Sequence, residues 1–129
     1  MAIKGKRRNW RGQAPWYASP PLSKYLLIES RDPWASAESG HFYELAGELA
    51  GKGHDVVLFL VQNGVLGVRK GSSSTLVQRA IDARVKVLLD DFSLRERGID
   101  DGERTSGAAV ASIDTLVDLL AEGRKAMWH

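Results

Sequence analysis

Val56-Val57-Leu58-Phe59-Leu60-Val61 is an unbroken apolar run that ends abruptly at Gln62-Asn63-Gly64. A strand that is apolar on both faces is typical of a parallel sheet that helices cover on both sides. Two similar apolar runs, Tyr25–Ile28 and Val85–Leu89, precede and follow it. The three runs therefore predict neighbouring buried strands of an α/β domain.

Segments with the spacing of amphipathic helices alternate with these strands. The first helix is predicted to begin at Asp32-Pro33, or at Ser36, and to end near Lys52-Gly53. Its expected inward residues recur at helical intervals: Phe42, Leu45, Ala46 and Leu49. A second helix is predicted after the loop at residues 70–74, with Ser72-Ser73-Ser74 as its cap. Its expected inward residues are Leu76, Val77, Ala80 and Ile81.

The C-terminal part of the chain continues this alternation. Ser93–Arg97 predicts a short helical turn, Ala108–Ala111 a weak strand and Lys125–Trp128 an edge strand. Ser112 is expected to cap a last helix, whose predicted inward residues are Ile113, Leu116, Val117 and Leu120. The pattern predicts a single α/β domain with a mostly parallel sheet of about five strands, flanked by helices in flavodoxin-like layering.

Residues 1–23 form a basic arm that precedes the predicted domain, residues 24–129. The charged residues within 1–24 are all basic: Lys4, Lys6, Arg7, Arg8, Arg11 and Lys24. Because the chain has a net charge of +2, residues 25–129 carry a net charge of −4. The arm also holds Trp10 and Trp16. A solvated tail is the favoured interpretation, contact with a neighbouring subunit comes second, and binding to nucleic acid or an anionic membrane comes last.

The composition excludes several kinds of chemistry. The 129 residues include no cysteine, so the chain has no disulfide, thiolate nucleophile, cysteine-ligated metal or persulfide of its own. The three histidines lack metal-ligand spacing, and no phosphate-binding glycine motif or nucleophile elbow is present. We therefore predict no catalytic residue, no metal and no cofactor. No apolar run approaches the roughly 18–20 residues that a membrane span needs.

Polar residues follow three of the predicted strands, at the sheet edge where ligands of open parallel sheets bind. Eleven of them make up the candidate pocket: Ser30, Arg31, Asp32, Gln62, Asn63, Gly64, Asp90, Asp91, Ser93, Arg95 and Arg97. Caps and turns use the same residue types, so each cluster alone is better explained as structural. Their convergence at one edge indicates a shared pocket rather than catalysis.

The adjacent carboxylates Asp90 and Asp91 allow two interpretations. Helix N-capping is the favoured one. General acid–base catalysis or Mg²⁺ binding is the alternative, since carboxylates serve both. No histidine, lysine or metal ligand stands in evident register with either aspartate, so an enzyme is the least supported of our functional hypotheses.

Several stretches, in this order and spacing, resemble the DsrE/DsrF-like family: Tyr25–Ile28, Gly53–Phe59, Asn63-Gly64-Val65, Lys70-Gly71 and Ser93–Ile99. The resemblance runs from about residue 24 to the C-terminus. It implies a small α/β domain with a mostly parallel sheet that assembles as a dimer, trimer or hexamer. The best-known members work in cytoplasmic sulfur relay, so the resemblance implies a cytoplasmic protein.

The resemblance also assigns a special position to Asp90. In the family's sulfur carriers a cysteine follows the third strand, eight residues before the glycine that corresponds to Gly98. A carboxylate cannot hold a sulfane sulfur, so this chain cannot act as a carrier there. A negative charge is favourable at a helix N-terminus, which makes capping one expected role for Asp90. Binding of a cationic group, or pairing with Arg31, Arg95 or Arg97, remains open.

The leading hypothesis is a non-catalytic, oligomeric DsrE/F-like protein that acts as an accessory or structural subunit in sulfur-relay or redox-related metabolism. Its expected partners are copies of itself or cysteine-bearing relatives. The alternative is a module that binds a small anionic metabolite or nucleotide in the strand-end pocket. Nucleic acid is not an expected partner.

Overall fold

The computed structural model describes residues 22–70 and 75–129. Five strands form one sheet: β1 (Lys24–Glu29), β2 (Asp55–Leu60), β3 (Lys86–Asp90), β4 (Ala109–Ala111) and β5 (Lys125–Trp128). All neighbouring strands are parallel, in the order β4-β3-β2-β1-β5. The α/β fold that the sequence predicts is confirmed.

In the described part of the chain, four α-helices accompany the strands: α1 (Ser39–Gly51), α2 (Leu76–Asp82), α3 (Asp91–Glu96) and α4 (Ile113–Ala121). Short 3₁₀ helices span Gln62–Val68 and Asp101–Glu103. The predicted loop residues 71–74, with the serines expected to cap α2, lie outside the described residues. Residues 1–21 of the predicted arm also lie outside them, so the arm and its boundary stay predictions.

The predicted start of α1 at Asp32-Pro33 or Ser36 was wrong. The Asp32 side chain instead accepts a hydrogen bond from the Trp34 amide at 3.0 Å, and its carbonyl accepts from Ala35 and Ser36. These bonds close a separate turn, because a short carboxylate side chain satisfies the nearest free amides of its own backbone. The helix begins only at Ser39.

The sheet is buried on both faces, as its apolar strands require. On one face, α1 and α2 pack against a cluster that includes Leu27, Leu58 and Leu89. On the opposite face, Leu26, Phe59 and Leu88 belong to a smaller cluster, to which α4 contributes Leu116. Alternate residues of each strand thus serve two cores.

Helix α4 covers its face of the sheet incompletely. Of its four predicted inward residues only Leu116 is buried, whereas Ile113, Val117 and Leu120 are 54%, 57% and 45% exposed. The apolar residues of α4 span a wider arc of the helix surface than the sheet can contact. The prediction that Ile113, Val117 and Leu120 face inward was therefore wrong. The uncovered part of that arc is an apolar stripe on the protein surface.

The carboxyl ends of the strands are drawn together around Gly64. The Gly64 amide donates to the Val61 carbonyl at 2.8 Å, and the Val61 amide donates to the Glu29 carbonyl at 3.0 Å. A Cβ atom at position 64 would overlap the Glu29 carbonyl oxygen. The first 3₁₀ helix can therefore pack against the end of β1 only because residue 64 has no side chain.

Gly64→Ala should lower the free energy of unfolding by about 2–3 kcal/mol, because neither backbone segment can move away cheaply. Urea denaturation measures the change. Gly40→Ala is the matched control, since a Cβ at Gly40 meets nothing within 4 Å. In a helix, that control should be neutral or stabilising by up to about 1 kcal/mol. Equal effects of the two substitutions would contradict the packing described at Gly64.

Candidate functional site

A cleft of about 440 Å³ opens at the carboxyl edge of the sheet, on the face that α4 covers. Its apolar lining consists of Ile28, Val61, Phe92, Ile113, Leu116 and Trp128. Its polar lining consists of Gln62, Asp90, Ser93, Glu96 and Arg97. A cleft of this volume, mostly apolar with a few converging polar groups, is typical of small-molecule sites.

Asp90 ends β3 and lies at the inner side of this cleft, with only 6% of its surface exposed. Its Oδ2 atom accepts hydrogen bonds from the Ser93 amide at 2.9 Å and from Ser93 Oγ at 2.6 Å. Within residues 22–70 and 75–129, Oδ1 makes no hydrogen bond. The expected capping role of Asp90 at the start of α3 is thereby confirmed.

Ser93 connects this cap to the neighbouring strand. While Ser93 Oγ donates to Asp90, it accepts a hydrogen bond from the Gln62 amide at 2.7 Å. Gln62 follows β2 with a φ of 50°, a left-handed backbone conformation that is unfavourable for a residue with a side chain. The hydroxyl of Ser93 thus stabilises the strained turn that leads out of β2.

The three arginines that could have paired with Asp90 have other partners. Arg31 lies 3.8 Å from Glu38, and Arg95 lies 3.4 Å from Asp91 one helical turn away. Arg97 donates to Asn63 Oδ1 at 3.0 and 3.1 Å and to the Ser93 carbonyl at 3.2 Å. Among the alternatives for Asp90, pairing with these arginines is therefore not what the structure shows.

Four of the eleven candidate pocket residues line the cleft: Gln62, Asp90, Ser93 and Arg97. The other seven have the following places. Asn63 holds Arg97, Gly64 packs on β1, and Asp32 closes its turn. Arg31 pairs with Glu38, and Ser30 Oγ donates to the His129 carbonyl at 2.9 Å. Asp91 and Arg95 border a separate surface depression together with Asp100 and Asp101.

The apolar rim of the cleft went unnoticed in the sequence. Phe92, Ile113 and Trp128 are each more than half exposed. Phe92 stands between the polar residues Asp91 and Ser93, and Trp128 comes beside Ile28 only through the pairing of β5 with β1. The one local signal of the rim in the sequence was a large aromatic residue, Phe92, inside a polar turn. The position of Trp128 could not be read locally, because it depends on strand pairing between residues far apart in sequence.

A second polar cluster, also missed, surrounds Glu29 at the end of β1. Glu29 is fully buried, and its Oε1 accepts a hydrogen bond from the Arg31 amide at 2.9 Å. His129 Nδ1 lies 2.8 and 3.1 Å from the two carboxyl oxygens of Glu29. The His129 ring also packs against Phe42 of α1, with ring centroids 5.3 Å apart. The cluster joins β1, α1 and the residue that follows β5.

Two hydroxyl groups of α1 are buried without a hydrogen-bond partner within the described part of the chain: Ser39 Oγ and Tyr43 Oη. The pKa of Tyr43 is raised well above its usual value, chiefly by burial and further by the negative charges of Glu29 and Asp32. The tyrosine is therefore held in its neutral form.

Within residues 22–70 and 75–129, no three histidine, aspartate or glutamate side chains are grouped so that they could hold a metal ion. None of the helices in this part of the chain has the length and hydropathy to cross a membrane.

A five-stranded parallel sheet with a cleft at its carboxyl edge defines a small α/β protein of the flavodoxin-like layered class. The family model of the DsrE/DsrF-like family matches residues 23–128. The chain belongs to the DsrE/DsrF-like family, as the sequence motifs indicate. It matches no curated protein.

Solved structures share this fold. The ychN protein from E. coli superposes with a TM-score of 0.76 at 18% identity, covering 84% of this chain and 100% of that one. MTH1491 from Methanobacterium thermoautotrophicum gives a TM-score of 0.67 at 18% identity, with the same coverage. BT1422 from Bacteroides thetaiotaomicron gives 0.67 at 14% identity, covering 83% of this chain and 95% of that one. The last two are described as proteins of unknown function.

Tyr43→Phe should raise the free energy of unfolding by about 1 kcal/mol at neutral pH, because it removes a buried hydroxyl that lacks a partner. The raised pKa of Tyr43 adds a pH dependence. Above the ordinary tyrosine pKa of about 10, only the unfolded state releases the proton, so stability falls as pH rises. Tyr43→Phe should remove this part of the decrease in the free energy of unfolding at alkaline pH.

Urea denaturation between neutral and alkaline pH measures both effects. Tyr25→Phe is the matched control, at a partly exposed position, and should leave this decrease at alkaline pH in place. A Tyr43→Phe protein that is less stable than the wild type at neutral pH would show that the hydroxyl has a hydrogen-bond partner. An unchanged alkaline slope would contradict the raised pKa of Tyr43.

Proposed function

We propose that this protein is a non-catalytic, self-assembling subunit of the DsrE/DsrF-like family, with an accessory or structural role in sulfur-relay or redox-related metabolism. The observation that carries the proposal is the identity and environment of residue 90, an aspartate. The residue stands where the family resemblance places the sulfur-carrying cysteine, and it is buried in a capping role. The scaffold of the site is retained while the sulfur atom that would react is replaced.

The local electrostatics support a structural role for the carboxylate. A thiolate and a carboxylate both carry a negative charge that the free amides at the start of a helix stabilise. Asp90 receives this stabilisation directly, through the amide and hydroxyl of Ser93. An aspartate therefore fits the position with little rearrangement, but it offers neither a sulfur nucleophile nor a site for sulfane sulfur.

The exposed apolar surface supports the assembling role. Ile113, Val117 and Leu120 form a stripe on α4 at intervals of four and three residues. Exposed Phe92 and Trp128 on the same face of the sheet enlarge the apolar surface. Clustered apolar and aromatic side chains of this kind are typical of protein interfaces.

The proposed occupant of this surface is a second copy of the chain. A stripe at intervals of four and three residues lies along one side of a helix, where it can pack against an identical stripe related by a two-fold axis. Such an arrangement would complete the burial of the apolar arc that the sheet covers only in part. Cysteine-bearing relatives are the alternative occupant.

A second candidate function is the binding of a small molecule in the cleft, which its volume and mixed lining favour. This function does not exclude the first, because the cleft and the α4 stripe share only part of their residues.

Val117→Lys should convert the assembled protein to monomers, or weaken the association at least about tenfold, because an interface would have to bury an unpaired charge. Native mass spectrometry and light scattering of the full chain measure the change. Glu44→Lys, an exposed substitution on α1, is the matched control and should leave the assembly intact.

A wild-type chain that is monomeric across the accessible concentration range would contradict self-assembly. If such a monomer associated only with a cysteine-bearing family member, and Val117→Lys abolished that association, the alternative occupant would be supported instead. An assembly that Val117→Lys and Glu44→Lys leave equally intact would show that the α4 stripe is not the interface.

A further inference from the structure

We propose that the cleft beside Asp90 binds a small organic cation, an ammonium group attached to an apolar or aromatic body. This inference rests on the second candidate function, names the chemistry of its ligand, and does not depend on assembly. It rests on the juxtaposition of a buried carboxylate with an aromatic and aliphatic wall in one cleft.

The carboxylate of Asp90 provides the charge that recognises an ammonium group. It lies at the inner side of the cleft, where limited contact with water strengthens its attraction for a cation. Its Oδ2 atom accepts both hydrogen bonds from Ser93, so those bonds fix the carboxylate in place. Its Oδ1 atom, which makes no hydrogen bond within the described residues, is the acceptor that a ligand N–H would use.

The other charged groups of the cleft do not reverse this preference. Glu96 adds a second negative charge to the lining. Among the described residues that line the cleft, Arg97 is the one basic residue, and its guanidinium group already donates to Asn63 and to the Ser93 carbonyl. The described lining therefore carries a net negative charge, which favours a cation over the anionic ligand expected from the sequence.

The remaining walls suit the body of such a ligand. Ile28 and Leu116 supply buried apolar surface, and the exposed rings of Phe92 and Trp128 stand at the rim. Aromatic faces attract cations as well as apolar groups. The guanidinium carbon of Arg95 already lies 6.0 Å from the centre of the Phe92 ring, at the outer limit of such a contact.

The test uses three ligands with similar bodies and different charges: phenethylamine, 2-phenylethanol and 3-phenylpropionate. Each is titrated into the full ¹⁵N-labelled chain, and the Ser93 amide and Trp128 indole signals are followed by NMR. Phenethylamine should bind saturably and at least about tenfold more tightly than the alcohol or the carboxylate.

Asp90→Asn separates charge from structure, because an asparagine oxygen can still accept both hydrogen bonds from Ser93. It should weaken phenethylamine binding about tenfold, down to that of the alcohol, without affecting the alcohol. Asp91→Asn is the matched control, since Asp91 does not line the cleft, and it should bind the amine as the wild type does.

Tighter binding of 3-phenylpropionate than of phenethylamine would overturn the proposal in favour of an anion site. Unchanged amine binding by Asp90→Asn, or the absence of saturable binding by the amine, would also overturn it. If Asp90→Asn fails to fold, the ranking of the three ligands on the wild-type chain still decides. Val117→Lys should bind phenethylamine as the wild type does, because Val117 does not line the cleft; loss of amine binding in this variant would contradict a site that is independent of assembly.

Discussion

The site depends on one short chain of hydrogen bonds, from the Gln62 amide to Ser93 Oγ and from Ser93 Oγ to Asp90 Oδ2. It ties the end of β2 to the start of α3 and holds Gln62 in a left-handed conformation that costs about 1–2 kcal/mol. The same bonds orient the Asp90 carboxyl group. These hydrogen bonds and the close packing at Gly64 therefore determine the shape of the cleft and the position of the Asp90 charge.

Asp90 stands where the family resemblance places the sulfur-carrying cysteine. A negative group at this position is stabilised by the start of α3, whether the group is a thiolate or a carboxylate. With aspartate the stabilisation contributes to the fold. The aromatic rim of the cleft and the apolar stripe of α4 are the exposed surfaces that the proposed ligand binding and assembly would use. Neither proposal requires a reactive sulfur.

The strands and the cap at Asp90 could be predicted because their signals are local: unbroken apolar runs, and an aspartate three residues before a serine. The cluster at Glu29 could not, because its partner His129 is 100 residues away in sequence. The burial of Val117 was mispredicted because the spacing of apolar residues shows which side of a helix can pack. How many of those residues the sheet covers depends on the folded structure. The rim at Trp128 was missed for the same reason as Glu29, since parallel pairing is non-local.

The most direct test of the central claim is a double-mutant cycle on the free energy of unfolding, with Asp90→Ala, Ser93→Ala and the double variant. If the two side chains stabilise the strand ends as one unit, each single substitution should cost about 1–3 kcal/mol. The double variant should then cost less than their sum by about 1 kcal/mol or more. Additivity to within about 0.5 kcal/mol would show that Asp90 and Ser93 act independently, and would contradict the structural role assigned to Asp90.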